Sequence, residues 1–229
     1  MSAEWEALAP IPVGPLRTYR LVPTAHPAID LFADLEHVSP AEWDLLYELE
    51  ALTNPRMRDA RGEIVLVPKD ERVYGEGASY VMAAFTHLNP RGSRFSDGSF
   101  GVYYCAEAEE TAVREVAFHA ARFLASTSEP AQTLAMRSIG ATLAGSAYDL
   151  LDQPWPWLRG EDYAPCQALA RHARGRVDLL RYDSVRHPGH AAFAVFRPKA
   201  LRQAQHLKYV ELYWNGQRFT HAADISLEL

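Results

Sequence analysis

Cysteine is scarce in this sequence of 229 residues, where Cys105 and Cys166 stand far apart. Two cysteines at this spacing fit no zinc site and no multi-disulfide framework, although a single disulfide stays open. Two buried free thiols in a reducing compartment are the simpler interpretation. The chain also lacks an apolar run long enough to cross a membrane, and residues 1–13 lack the basic segment of a secretory signal. These absences predict a cytoplasmic protein.

Basic residues are in the minority, with 23 Lys and Arg against 29 Asp and Glu, which gives a formal net charge of −6. Lys and Arg are scattered, with no basic run along one predicted helix. Both facts argue against a protein that binds nucleic acid through its phosphates. Two or three arginines can nevertheless bind a small anion, so the net charge does not exclude a dinucleotide substrate. With 48% hydrophobic residues, the chain has enough apolar material for one large domain.

Several common functional motifs are missing. The sequence has no phosphate-binding GxxxxGK[ST] loop and no HExxH zinc motif. Gly75-Glu76-Gly77 begins like a dinucleotide-binding fingerprint, but Tyr80 stands where the third glycine belongs, so a turn is favoured. His187 and His190 have no third ligand nearby in the sequence, which favours a polar loop over a metal site.

The hydrophobic pattern predicts one mixed α+β domain over residues 1–229. Alternating apolar residues and turn residues indicate a C-terminal hairpin around Asn215-Gly216 and strands at 16–22, 102–105, 133–139, 177–182 and 191–196. One helix is predicted to begin at the cap Ser39-Pro40, and others span 109–124 and 162–173. Residues 79–87 fit a helix or a strand equally well. The 109–124 helix is expected to bury Val113, Val116, Ala117, Ala120 and Phe123.

Three consecutive blocks carry the most informative pattern: the loop Gly92-Ser93-Arg94-Phe95, the strand 101–106 with Tyr104, and the helix 110–116 with Glu115. Together they resemble the RES family, whose members carry a G-x-R-[FW] loop, a strand ending in Tyr and a helix E-T-A-x-x-E-V. Further blocks match in the expected order, so that the resemblance covers about two-thirds of the chain. These further blocks are Tyr19-Arg20-Leu21-Val22, Gly75-Glu76-Gly77-Ala78 and Tyr182-Asp183-Ser184.

The resemblance implies a compact α+β fold similar to ADP-ribosyltransferases, with NAD⁺ bound as substrate in a cleft and no metal. Family members hydrolyse or phosphorolyse NAD⁺, and some transfer ADP-ribose to phosphoribosyl pyrophosphate synthetase. The resemblance also implies the toxin half of a bacterial toxin–antitoxin pair, whose partner is an Xre-like helix-turn-helix antitoxin. Compared with shorter members, residues 30–70 form a helical insertion, 79–91 a second insertion and 200–229 a C-terminal β-hairpin extension.

The chemistry of NAD⁺ cleavage suggests roles for these residues. Breaking the nicotinamide–ribose bond builds positive charge on the ribose, which a nearby carboxylate stabilises. Glu115 is the candidate for that catalytic carboxylate, and a solvated helix residue is the alternative. The diphosphate needs cations that can donate two parallel hydrogen bonds, as a guanidinium does. Arg20 and Arg94 are the candidates. Arg20 lies within a strand and needs a partner, either a substrate phosphate or a structural ion pair. For Arg94, which lies on a polar loop, the alternative interpretation is a solvated charge.

Three more residues complete the predicted site. Tyr104 is expected to stack on the nicotinamide or ribose, or to direct its hydroxyl at the substrate, whereas Tyr103 points to the opposite face and packs in the core. Ser184 is expected to hydrogen-bond a ribose or phosphate oxygen, with loop capping as the alternative. No base stands beside it in sequence, so it is not interpreted as a nucleophile. Gln167 lies in a segment that lines the site in relatives.

Three functions remain open. The first is an NAD⁺-degrading enzyme with water or phosphate as acceptor, and the second is a protein ADP-ribosyltransferase with a host target. The third is a binding module that only holds the antitoxin, which the full set of candidate residues argues against. A sugar hydrolase using Glu109 and Glu115 fails because residues six apart on a helix point in different directions. The macrodipole of the helix explains the carboxylates Glu107, Glu109 and Glu110 at its start.

Overall fold

The computed structural model describes residues 4–24, 63–127 and 129–225. The helix predicted to begin at Ser39-Pro40, and most of the predicted 30–70 insertion, lie outside these residues. Three α-helices are described, α1 (Ala78–Thr86), α2 (Glu109–Thr127) and α3 (Ala164–Ala173). The strands are β1 (Ile11–Pro23), β2 (Tyr103–Ala106), β3 (Gln132–Asp149), β4 (Leu179–Asp183), β5 (Ala191–Val195), β6 (Leu201–Trp214) and β7 (Phe219–Ile225).

The seven strands form one sheet in the order β1-β2-β5-β4-β3-β6-β7. Strand β1 pairs with both β2 and β3, so five strands close into a ring and β6 and β7 continue outward from β3. Only β3 and β4 run parallel, and the other neighbours are antiparallel. The predicted α+β class is therefore confirmed. No helix among the described residues is long and apolar enough to cross a membrane.

Strand β3 extends ten residues beyond the predicted end at residue 139, to Asp149. It pairs with β1 along one edge, and with β6 and then β4 along the other. Gly140 interrupts the apolar alternation because the Arg17 guanidinium packs over it: a Cβ atom at Gly140 would lie 2.3 Å from Arg17 Nη2. A glycine that makes room for a neighbouring side chain resembles a strand end in the sequence.

Helix α2 packs beside β1, and its first residue is tied to the sheet. The Glu109 carboxylate accepts a hydrogen bond from Ser138 Oγ at 2.5 Å and pairs with Lys208 Nζ at 2.8 Å. The predicted burial of Phe123 is wrong, because that side chain is 56% exposed and Leu124 is buried instead. One residue along a helix is a rotation of about 100°, which is enough to exchange the buried position.

Residues 79–87, which the sequence left open, are mostly helical and belong to α1. The preceding Gly75-Glu76-Gly77 is a turn, as expected. Gly77 adopts φ +73°, and a Cβ atom there would lie 1.8 Å from the Ala204 carbonyl oxygen. Only glycine allows the chain to approach β6 so closely before α1 begins.

Candidate active site

Side chains of the central strands alternate between the two faces of the sheet. Tyr182 packs with the apolar cluster that includes Phe95, against which Tyr104 also lies. Tyr103 and Cys105 belong to a separate cluster on the opposite face. The predicted core position of Tyr103 is confirmed, since its side chain is fully buried. The candidate site lies on the Tyr104 face, between α2, the loop 92–98 and the β4–β5 connection.

Glu115 contacts the β4–β5 connection from the first half of α2. Its Oε1 accepts a hydrogen bond from Ser184 Oγ at 2.6 Å and faces the Arg186 backbone N–H at 3.3 Å. Ser184 is fully buried, and its Oγ also accepts a hydrogen bond from the His187 N–H at 3.0 Å. Because the Ser184 hydroxyl proton is directed at Glu115, the carboxylate is held in one orientation.

Tyr104 and Gln167 hold the loop that carries Arg94. The Tyr104 hydroxyl lies 2.8 Å from Ser93 Oγ and accepts a hydrogen bond from the Phe95 N–H at 2.9 Å. Burial raises the pKa of Tyr104 to about 12, so its hydroxyl stays protonated near neutral pH. Gln167 Nε2 donates to the carbonyls of Ser93, at 3.0 Å, and Ser96, at 3.2 Å. In this structure both side chains order the loop.

Arg94 points from this loop toward the segment 158–163. Its Nη1 donates to the carbonyls of Leu158, at 2.8 Å, and Gly160, at 3.0 Å. The guanidinium also stacks over the Tyr163 ring, 4.6 Å from its centroid. Arg94 therefore fixes the position of the segment that follows Leu158.

Arg20 lies on the other face of the sheet. Its guanidinium packs 4.6 Å from the centroid of the Tyr103 ring, and Nη1 donates to the Tyr104 carbonyl at 3.1 Å. Thr18, two residues earlier in β1, bonds the Ala141 carbonyl on that same face. Arg20 therefore contacts the backbone of Tyr104 but not its side chain. Strand alternation places the Arg20 guanidinium beside Tyr103, on the face opposite the side chains of the candidate site.

Comparison with known proteins gives the family. A family model described as the RES domain matches residues 70–215. This chain belongs to the RES domain family. The match contains Arg94, Tyr104, Glu115 and Ser184, and it begins after Arg20.

Two individual proteins resemble this RES domain chain. An uncharacterized protein y4oC of Sinorhizobium fredii is 29% identical over 205 residues, which cover 88% of this chain and 84% of that protein. The crystal structure of the M. tuberculosis MbcT-MbcA toxin-antitoxin complex contains a chain that aligns with 92% of this one. The alignment covers 84% of that chain, with 14% identity and a TM-score of 0.39.

The structure adds three residues of this RES domain that sequence reasoning missed: Tyr182, His119 and Arg186. The Tyr182 ring packs against Phe95, with ring centroids 4.9 Å apart, and burial, then the Glu115 charge, raises its pKa well above its ordinary value. His119 follows Glu115 by one helical turn, a spacing that could have signalled it. Loss of hydration lowers the pKa of His119, Glu115 opposes that shift, and the cations of Arg186, Arg94 and Arg122 add to it.

Proposed function

We propose that this protein cleaves the nicotinamide–ribose bond of NAD⁺ and passes the ADP-ribosyl group to water or phosphate. The observation that carries the proposal is the Glu115 carboxylate, oriented by the Ser184 hydroxyl at 2.6 Å. The positive charges of Arg94, Arg122 and Arg186 all act on His119, one helical turn after Glu115. A fixed carboxylate with nearby cations suits a substrate that develops positive charge on its ribose and carries a diphosphate.

The reaction needs little proton transfer. When the bond between ribose C1′ and the nicotinamide nitrogen breaks, the electron pair moves to that nitrogen, and the pyridinium leaves as neutral nicotinamide. Glu115 stabilises the oxocarbenium character left on the ribose. Water then forms a bond to C1′ and gives its proton to Glu115, or phosphate adds without that transfer. One positioned carboxylate is therefore enough.

The other site residues have supporting roles in this proposal. Ser184 keeps Glu115 aimed at the ribose, and Tyr104 and Gln167 keep the Arg94 loop in place. Arg94 contributes positive charge on the diphosphate side. Tyr182, buried and neutral, packs with Phe95 on the face of the sheet that carries the site.

We further propose that the protein is the toxin of a toxin–antitoxin pair, with an Xre-like helix-turn-helix antitoxin as its partner. The resemblance to the RES family supports this role. An antitoxin that covers α2 and the segment 158–163 would block access of NAD⁺ to Glu115. Co-expression with a cognate Xre-like antitoxin should then abolish nicotinamide release.

The direct test uses the purified chain and NAD⁺ labelled on its adenine side, with and without phosphate and a bacterial lysate. We expect free nicotinamide together with soluble ADP-ribose or its phosphate ester. Glu115→Gln should abolish release, and Glu110→Gln is the matched control because Glu110 lies on the same helix with its side chain 61% exposed. Label on a discrete lysate protein would show a transferase instead. Folded protein that releases no nicotinamide under any condition would refute NAD⁺ cleavage.

A further inference from the structure

One carboxylate bridges two arginines beside the candidate site. Glu161 Oε2 pairs with Arg122 Nη1 at 2.6 Å, and Glu161 Oε1 pairs with Arg186 Nη2 at 3.2 Å. Each carboxylate oxygen therefore faces a different guanidinium. Two oxygens of a phosphate group could contact the same pair of guanidiniums in the same way.

The two arginines lie along α2 from Glu115. The Arg186 backbone N–H faces Glu115, whereas its guanidinium lies 3.2 Å from the centroid of the Phe118 ring, near the next turn of the helix. Arg122 follows Phe118 by one further turn, and its guanidinium lies 5.7 Å from the centroid of the same ring. From Glu115 to Arg122 the helix rises ~10 Å. A ligand whose ribose lies at Glu115 can therefore direct its phosphates toward this pair.

Glu161 is poorly suited to a permanent structural role. The Glu161 side chain is 63% exposed. The side chains of its partners are 59% exposed for Arg122 and 21% exposed for Arg186. Exposed ion pairs contribute little net free energy to a fold. The Glu161 segment is held instead by Arg94, through the carbonyls of Leu158 and Gly160. Glu161 can therefore leave the arginines without loss of the contacts that place its segment.

We propose that Arg122 and Arg186 bind the diphosphate of the dinucleotide, and that Glu161 occupies them in the free protein and is displaced when substrate binds. The identity of the dinucleotide rests on the proposed function. Glu161 then acts as an internal competitor of the phosphates. Removing its charge strengthens the binding of a diphosphate, and removing either arginine weakens it.

Binding of ADP to the full chain, measured by isothermal titration calorimetry, tests this without any turnover. We expect Arg186→Gln to weaken ADP binding about tenfold and Glu161→Gln to tighten it severalfold, with adenosine much less affected by either change. The matched controls are Arg114→Gln and Glu110→Gln, which split an exposed ion pair of the same helix outside the site. Both should leave ADP binding unchanged.

The outcomes separate this inference from the proposed function. Equal ADP affinity of the wild type, Arg186→Gln and Glu161→Gln, at unchanged melting temperatures, would overturn the diphosphate site even if nicotinamide is released. ADP affinities that change as expected would support it even if no nicotinamide is released. Weaker ADP binding in Glu161→Gln would also overturn it, because a structural role for the bridge, not competition, would then explain the contacts.

Discussion

At the scale of single residues, the site depends on one hydrogen bond between Ser184 and Glu115. Ser184→Ala removes a donor to a charged acceptor, an interaction worth about 1.5–3 kcal/mol. If that orientation matters mainly in the transition state, kcat for nicotinamide release should fall about 10- to 100-fold with a small change in KM. Ser126→Ala, which removes an exposed hydroxyl near the end of the same helix, is the control. An unchanged kcat in folded Ser184→Ala would show that Glu115 needs no such support.

The two predicted arginines show what a sequence can and cannot give at this scale. Arg94 is a candidate from the sequence alone because its loop, with glycine two residues before it and an aromatic residue after it, is a short local motif. Arg20 matched a strand block equally well, but only the pairing of β1 with β2 and β3 shows which face carries its side chain. Arg186 carries no distinctive local pattern, and its relevance depends on contacts with Glu161 far away in sequence. Facing direction and long-range contacts are properties of the folded chain.

At the scale of elements, local patterns predicted the existence of strands and helices better than their length. The start of β3 was predicted from its alternation, but its second half includes Gly140 and Gly145, which weaken a strand pattern. Both glycines serve close approaches: Arg17 packs over Gly140, and the Asp178 carboxylate lies against Gly145. The parallel pairing of β3 with β4 depends on that second half, so the sequence could not give the order of the sheet.

The turn before α1 provides a matched pair of glycine substitutions. Gly77→Ala combines φ +73° with a Cβ atom 1.8 Å from the Ala204 carbonyl oxygen, so the turn or β6 must shift. Gly75→Ala has a similar φ of +86° but meets no atom within 4 Å. We expect about 1 kcal/mol of destabilisation for Gly75→Ala from backbone strain alone, and about 3 kcal/mol or more for Gly77→Ala. Urea denaturation measures both, and equal losses would show that the approach of α1 to β6 is not tight.

At the scale of the whole molecule, the closed ring of strands buries ionisable groups in their neutral forms. Burial raises the pKa of Cys105 and of Tyr104 to about 12, and raises those of Tyr103 and Tyr182 further above their ordinary value. The unfolded chain releases these protons near its ordinary values of 9.0 and 10.0, whereas the folded chain keeps them. The free energy of unfolding should therefore be nearly constant from pH 7 to about pH 8 and fall steadily above it.

Urea midpoints measured from pH 7 to pH 10.5 test this dependence. Tyr104→Phe removes one of the four groups, so the stability of this variant should fall less steeply above pH 9 than that of the wild type. At neutral pH the variant should be less stable, because the hydrogen bonds of the Tyr104 hydroxyl with Ser93 and Phe95 are lost. Parallel curves for the two proteins would mean that Tyr104 ionises normally in the fold. A wild-type midpoint that stays constant to pH 10.5 would contradict neutral burial of the whole group.

The proposed toxin role is also a property of the whole molecule, because it requires the fold, the carboxylate and access to cellular NAD⁺ together. Expression of the chain alone in a bacterium should stop growth and lower cellular NAD⁺, and the loss of NAD⁺ should precede the arrest. Glu115→Ala should relieve both effects at equal protein level, whereas Glu110→Ala, on the exposed side of the same helix, should not. Growth arrest by a stably expressed Glu115→Ala protein would show that toxicity does not depend on the Glu115 carboxylate. Growth arrest that requires Glu115 but leaves cellular NAD⁺ constant would instead support transfer of ADP-ribose onto a host protein. Modification of one essential target can stop growth long before NAD⁺ is depleted.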